Sequence, residues 1–334
     1  MNTKLFTLKF RFKKLYIKFF FIFLLLIILK KIFFNFHIFL PSTYYSCFIT
    51  MVRLENKYIK EVIEYYRNLG IDKFFIGDDN KLNTENISEV LKDYINESYV
   101  EILDIREKHY SQKYFFLYSY NLYKSKCKWI FYFDIDEYLE FKNKTLKIND
   151  FLSQEKFNKC EVIKINWLMY NDNDLLYYEN RSLQERFTTP IYYKNDIRTV
   201  KSIVRGNLKR NPWILNSAPH EPAFGLKTCD SLGNISVYQK GTIYPPIYNC
   251  CYIKHYSIKS TEEFGYKIKK GYYGNKFNID NRINYYFTIN KFSKEKLILL
   301  EKIFNKKFTF FHNSTNIIQF NKNINKSLFK IFKR

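Results

Sequence analysis

Hydrophobic and polar positions fall into short blocks that switch between two periods. Residues 44–52 are rich in aromatic and β-branched side chains, which predicts a strand. Residues 57–69 change to helical spacing, with Tyr58, Ile59, Val62, Ile63, Tyr66 and Leu69 on one face. Gly70 follows where a helix commonly ends in the left-handed conformation. The same reading predicts strands at 73–76, 99–103 and 129–133, and helices at 88–95 and 110–125. Strand–helix alternation with short strands implies crossover units, hence an α/β fold with a mainly parallel, Rossmann-like sheet flanked by helices. Beyond residue 152 the pattern loosens. Strands are expected at 161–170 and 198–205, helices at 261–270 and 294–304, and proline-marked loops between them.

The fourth strand carries the most informative chemistry. Trp129-Ile-Phe-Tyr-Phe133 runs directly into Asp134-Ile-Asp136-Glu137. An apolar run bounded by polar residues reads as a strand buried on both faces. Acids at its carboxyl end lie where open α/β sheets bind ligands. On an extended chain, carboxylates at i and i+2 point the same way and can share one hard divalent cation. A second pair, Asp172-Asn-Asp174, also follows an apolar run. It is expected in a solvated loop, with Asp172 able to face an acceptor.

Arg53, Glu55 and Asn56 end the first strand, and Asp78, Asp79 and Asn80 end the second. Acids there can bond a ribose or base edge, although Asp and Asn also favour ordinary turns. His255 follows a short apolar run, and one distant histidine would complete a carboxylate metal site. Lys259, Lys267 and Lys270 could neutralise a diphosphate, or form a solvated basic helix. For a base that takes a proton from an attacking hydroxyl, the candidates are Asp172, Glu185 and Glu221. There is no G-x-S-x-G, Walker A or G-x-G-x-x-G sequence. With nine glycines in the chain, phosphates must be met by metal and side chains.

The amino terminus is basic, then uninterruptedly apolar from Phe19 to Leu29, then interrupted by Lys30 and Lys31. Eleven helical residues reach only ~16 Å of the ~30 Å a membrane core requires. Lengthening to Leu15 with Lys18 snorkelling brings the segment near a span. An uncleaved signal anchor with a cytoplasmic amino terminus is the favoured reading, of Golgi or endoplasmic-reticulum type II in a eukaryote. A cleaved signal peptide lacks a small-x-small site, and an interfacial basic helix is the third possibility. Seven Asn-x-Ser/Thr sequons suit a secretory-pathway protein, although an Asn-rich chain produces them by chance. The net charge of +23 invites a nucleic-acid reading. No zinc-finger or RNA-recognition signature supports it, and a Lys-, Asn- and Ile-rich composition explains the charge. Of six cysteines, Cys250 and Cys251 are adjacent. One of them could pair with Cys229, or all could remain buried thiols.

Residues 55–80, with Glu55, Glu61, Gly70, Asp72 and Asp78-Asp79-Asn80, resemble the opening of glycosyltransferase family 92 and its family 2-like relatives. The resemblance continues at Gln112, at 129–139, at Trp167 with Tyr170-Asn171, at Lys201-Ser-Ile-Val204, at His220-Glu221-Pro222, and at His255-Tyr256 with Lys259-Ser260. It implies a GT-A fold, a nucleotide-sugar donor, commonly UDP-linked, and a divalent ion, usually manganese. Asp134, Asp136 and His255 would be the ligands. Arg53, Glu55, Asp78, Asp79, Asn80, Gln112 and Asp134 would contact the donor. The expected organisation is a membrane-anchor segment over 1–41, a transferase domain over 42–304 divided near 140 into donor and acceptor halves, and a basic tail over 305–334. The expected activity is metal-dependent, inverting sugar transfer to a glycan or glycoconjugate hydroxyl. A nucleotidyltransferase and a catalytically inactive membrane-bound binding protein are the alternatives.

Overall fold

Ten strands form one twisted sheet among the described residues of the computed structural model, which are 42–108, 110–192, 199–214, 220–222, 225–235, 241–271 and 278–308. The strands are β1 (Tyr44–Val52), β2 (Lys73–Asp78), β3 (Val100–Asp104), β4 (Cys127–Tyr132), β5 (Glu137–Phe141), β6 (Val162–Tyr170), β7 (Pro190–Ile191), β8 (Val200–Arg205), β9 (Thr228–Cys229) and β10 (Cys251–His255). The main path runs β3-β2-β1-β4-β8-β6-β10-β5. β3, β2, β1 and β4 are mutually parallel, as the alternation predicts. The second half departs from the expected mainly parallel sheet. β8 lies antiparallel to both β4 and β6, and β5 is antiparallel to β10. The fold is therefore mixed α/β. Among the described residues, the longest α-helix between β5 and β10 has five residues, Ile148–Leu152, short of the dozen or more residues a parallel crossover takes.

Helix α1 (Asn56–Leu69) buries Tyr58, Ile59, Val62, Ile63 and Tyr66 against the sheet, at roughly 1.5–3 kcal/mol per large side chain. Tyr66 packs with Phe48, which stacks on Phe74 at 4.8 Å. Gly70 ends the helix at φ 104°, a conformation a Cβ would strain. The helix expected over 88–95 is two short turns, Ile87–Val90 and Lys92–Asn96. Helix α2 (Gln112–Tyr123) is capped by Ser111, whose hydroxyl accepts the Tyr114 N–H. Three helices follow β10: α3 (Thr261–Lys270), α4 (Ile279–Ile289) and α5 (Lys294–Phe304). The pattern reading missed α4 and the strand β5.

Two disulfides correct the cysteine expectation. Cys47 in β1 bonds Cys127 in the neighbouring β4, and Cys160 bonds Cys229. Cys229 lies in β9, beside the start of β6, which puts it within reach of Cys160 rather than of Cys250 or Cys251. Those two remain thiols. The bonds span 80 and 69 residues, and each such crosslink restricts the unfolded chain by roughly 4 kcal/mol. The expected membrane segment over 1–41 and nearly all of the basic tail lie outside the described residues. Among the described residues, no helix is long and apolar enough to cross a membrane.

Candidate active site

The carboxyl ends of β1, β2 and β4 meet where strand order reverses, with β2 and β3 on one side of β1 and β4 on the other. Such switch points open a crevice for ligands. β4 stops at Tyr132, and the chain turns through Asp134 and Asp136 into β5. Glu137 closes this turn. Its N–H donates to the Asp134 carbonyl at 3.2 Å, and its Oε2 accepts the Asp134 N–H at 3.0 Å. β5 pairs with β10 so that Glu137 and His255 stand directly opposite, which puts both side chains on one face.

His255 Nε2 lies 3.6 Å from Asp136 Oδ1 and 3.9 Å from Glu137 Oε1. One ligand atom from each of Asp136, Glu137 and His255 falls within 4.8 Å of the other two. Glu137 Oε1 is buried without a hydrogen bond, as is His255 Nδ1. The two aspartates take different partners. Asp134 Oδ1 accepts Gln112 Nε2 at 2.6 Å, and its Oδ2 accepts Lys201 Nζ at 2.7 Å. Asp136 Oδ2 accepts Lys267 Nζ at 2.7 Å.

Burial works to raise the Asp136 carboxyl, but Lys267, His255 and Lys259 outweigh it and hold it well below the usual range. Burial drives Glu137 well above the usual range; Lys201 opposes this, and Asp134 and Asp136 reinforce it. Lys201 is fully buried between Asp134 and Glu137. Burial lowers its pKa, yet those two acids raise it overall, so it stays charged. Trp167 stands between two histidines, 4.0 Å from the His255 ring and 5.0 Å from His220. Burial and then Lys201 push His220 down to about 3, so its imidazole is neutral.

The sequence profile of glycosyltransferase family 92 matches residues 42–328. The chain belongs to that family. A glycosyltransferase family 92 protein of Oryza sativa subsp. japonica is 30% identical over 102 residues, which is 30% of this chain; the chain spans 17% of the rice protein's length. Among solved structures, S. aureus TarS 1-349 aligns with a TM-score of 0.37 at 14% identity, over 78% of this chain and 71% of that one. A second S. aureus TarS structure aligns with a TM-score of 0.33 at 12% identity, over 78% and 43%. The family resemblance expected from scattered sequence fragments is thus borne out.

Several expected site residues of this family 92 chain converge on the crevice. Asn80 Oδ1 accepts the Leu54 N–H at 2.8 Å, tying the end of β2 to that of β1, while Asp78 Oδ1 accepts from Asn80. Arg53 approaches Asp79 at 3.8 Å and donates to the Gly271 carbonyl at 2.9 Å. Glu55 pairs with Lys270 at 2.9 Å and lies 3.9 Å from Lys259. The three candidate bases are not brought together. Asp172 is buried, accepting the Tyr286 hydroxyl and lying 2.8 Å from Lys296 Nζ. Glu185 is spent on a capping box with Ser182 at an exposed helix start. Glu221 accepts the Gly241 N–H at 2.9 Å and directly follows His220, whose ring faces Trp167.

The pattern reading missed the roles of Lys201 and Trp167 and left Glu137 unassigned. Lys201 had a signal: it is a charge inside Val200-Lys-Ser-Ile-Val204, an otherwise strand-like run. Lysine in a central strand requires a partner, and Asp134 supplies it.

Proposed function

We propose that this chain is a metal-dependent glycosyltransferase that moves a sugar from a nucleotide diphosphate donor, UDP-linked by family resemblance, to a glycan or glycoconjugate hydroxyl with inversion. The observation that carries the reading is the convergence of Asp136, Glu137 and His255 where the turn after β4 meets the end of β10, in a family 92 chain. An O, O, N donor set with a buried Glu137 oxygen that accepts no hydrogen bond, 3.4 Å from Lys201 Nζ, fits a small divalent ion such as manganese. Asp136 and His255 would hold it, Glu137 would join them, and Asp134 would border the site through its contacts to Gln112 and Lys201. When bound, the ion supplies Lewis-acid charge against the leaving diphosphate.

The chain's own residues do the rest. Gln112 and Lys201 fix Asp134 toward the crevice. Asn80, Asp78, Asp79 and Arg53 build the rim at the ends of β1 and β2, where a nucleoside would lie. Glu221 is the best placed of the three base candidates, because its neighbour His220 already packs against the centre. Asp172 and Glu185 are engaged elsewhere. Two disulfides and the sequons fit a domain facing an oxidising compartment. The basic-then-apolar amino terminus fits a single-pass anchor with the amino end cytoplasmic. The test is a panel of UDP- and GDP-sugars assayed for donor hydrolysis and sugar transfer with manganese and with EDTA. Manganese-dependent release of nucleoside diphosphate supports the reading. Release of sugar 1-phosphate, with the nucleoside monophosphate passing to the acceptor, would instead indicate a nucleotidyltransferase, and no turnover or binding of any donor would indicate an inactive binding protein.

A further inference from the structure

We propose that one face of α3 is a built-in cationic cradle for the donor diphosphate, with Lys267 and Lys270 contacting the phosphates and Lys259 beside them. The inference rests on the nucleotide-sugar reading above and adds a phosphate-binding element that acts alongside the metal. The three C-terminal lysines of α3 divide by helical position. Lys269 points away, donating to the Ile303 carbonyl at 3.0 Å. Lys267 and Lys270, three apart and so on one face, turn into the crevice. Lys267 reaches Asp136 at 2.7 Å and the Ser257 carbonyl at 3.1 Å. Lys270 reaches Glu55 at 2.9 Å and also donates to the Arg53 carbonyl. Their side chains are 21% and 19% exposed, and that of Lys259 is 6% exposed.

A solvated basic helix does not look like this. Withdrawing ammonium groups from water is costly unless each is paired, and here each meets an acid at the end of β1 or β4. The two strands flank the switch point, so the lysines stand on both sides of the place where a nucleotide binds. The helix that delivers them is rigidly held. Ser260 and Glu263 form a capping box. Glu263 then accepts Arg186 Nη1 at 2.7 Å and the Tyr58 hydroxyl at 2.6 Å. Lys259 lies 3.5 Å from the centre of the Tyr58 ring, a cation–π contact. With no glycine-rich loop in the chain, side-chain ammonium groups are the available phosphate partners, and lysine suits phosphate as a point charge.

Calorimetric titration of UDP into the full chain, in EDTA and in manganese, tests this. Wild type is expected to keep measurable UDP binding in EDTA. Lys267→Met and Lys270→Met should each weaken UDP binding about tenfold in both conditions, the scale of one charge-assisted hydrogen bond. Lys270→Arg should recover most of the loss, and Lys269→Met should bind like wild type. Should Lys267→Met fail to fold because Asp136 loses its partner, the Lys270→Met and Lys270→Arg pair decides alone. Wild-type binding only with manganese, together with unchanged affinity in Lys270→Met, overturns the cradle while leaving the nucleotide-sugar reading intact. No UDP binding by wild type in either condition overturns both.

Discussion

Two Asp-x-Asp pairs in this chain are nearly interchangeable as sequence and opposite as structure. Asp134-Ile-Asp136 and Asp172-Asn-Asp174 each end an apolar strand, β4 and β6. Around the first pair, Lys201 and Lys267 meet the acids but leave one buried oxygen without a hydrogen bond. Glu137 Oε1 has no hydrogen bond, and His255 looks at two carboxylates from under 4 Å. Around the second pair everything is answered. Asp172 is met by Tyr286 and Lys296, its N–H donates to Asn290 Oδ1 at 2.8 Å, and Lys296 also holds Asp174 at 2.7 Å. The groups that satisfy it come from α4 and α5, so the second pair pins the C-terminal helices to the sheet. The difference teaches that a carboxylate pair becomes a candidate ion site when a buried acid oxygen beside a histidine is left without a hydrogen bond, and a structural staple when its oxygens are taken up by neighbouring helices.

The largest effect that would break this contrast comes from the first pair. Asp136→Asn should lower sugar transfer more than about a hundredfold, beyond the upper scale for losing an outer-shell metal partner, with the far-UV circular dichroism spectrum unchanged. Retained transfer would end the ion-site assignment. Next is Asp172→Ala, which removes the acceptor of the buried Tyr286 hydroxyl and one of the two carboxylates at Lys296, and should cost about 1–3 kcal/mol in urea unfolding. A loss of activity without a loss of stability would mean that the second pair is chemical after all.

A third effect concerns the anchor of α3. Burial tends to raise the Glu263 carboxyl, but hydrogen bonds from Arg186, Ser260 and Tyr58 win and bring it down to about 2 from 4.5. A depressed folded value gives stability that is fully present above the unfolded pKa and is lost as pH falls from 4.5 toward 2. The size is roughly 3 kcal/mol. Thermal melts across that window should show the loss in wild type, and Glu263→Gln should be less stable at neutral pH and lack this share of the slope. The smallest effect is expected from Asp174→Ala. Its side chain is 60% exposed, so losing its bond to Lys296 should cost under about 1 kcal/mol, readable as a small shift in the urea midpoint.

Much of the first half of the sheet was legible in the sequence because each element there is local. Helical spacing over α1, Gly70 and the strand runs each report on their own segment, and crossover logic then forces β1, β2, β3 and β4 parallel. The later half was less legible, because its strands are placed by long-range pairing. β5 is too short and too charged to read as a strand until β10 lies beside it, and that same pairing sets Glu137 opposite His255. Lys201 reaches Asp134 because Ser202 pairs with Tyr132 across β4 and β8, a register no local pattern carries. The period-two logic applied to the acids belongs to an extended strand, whereas Ile135 and Asp136 form a turn between β4 and β5.

The central claim is that an ion belongs to the first pair and not the second. The most direct measurement is manganese binding by electron paramagnetic resonance on wild type, Asp136→Asn and Asp172→Asn. The account predicts one bound ion in wild type and in Asp172→Asn, and none in Asp136→Asn. Binding that survives in Asp136→Asn and disappears in Asp172→Asn would contradict it.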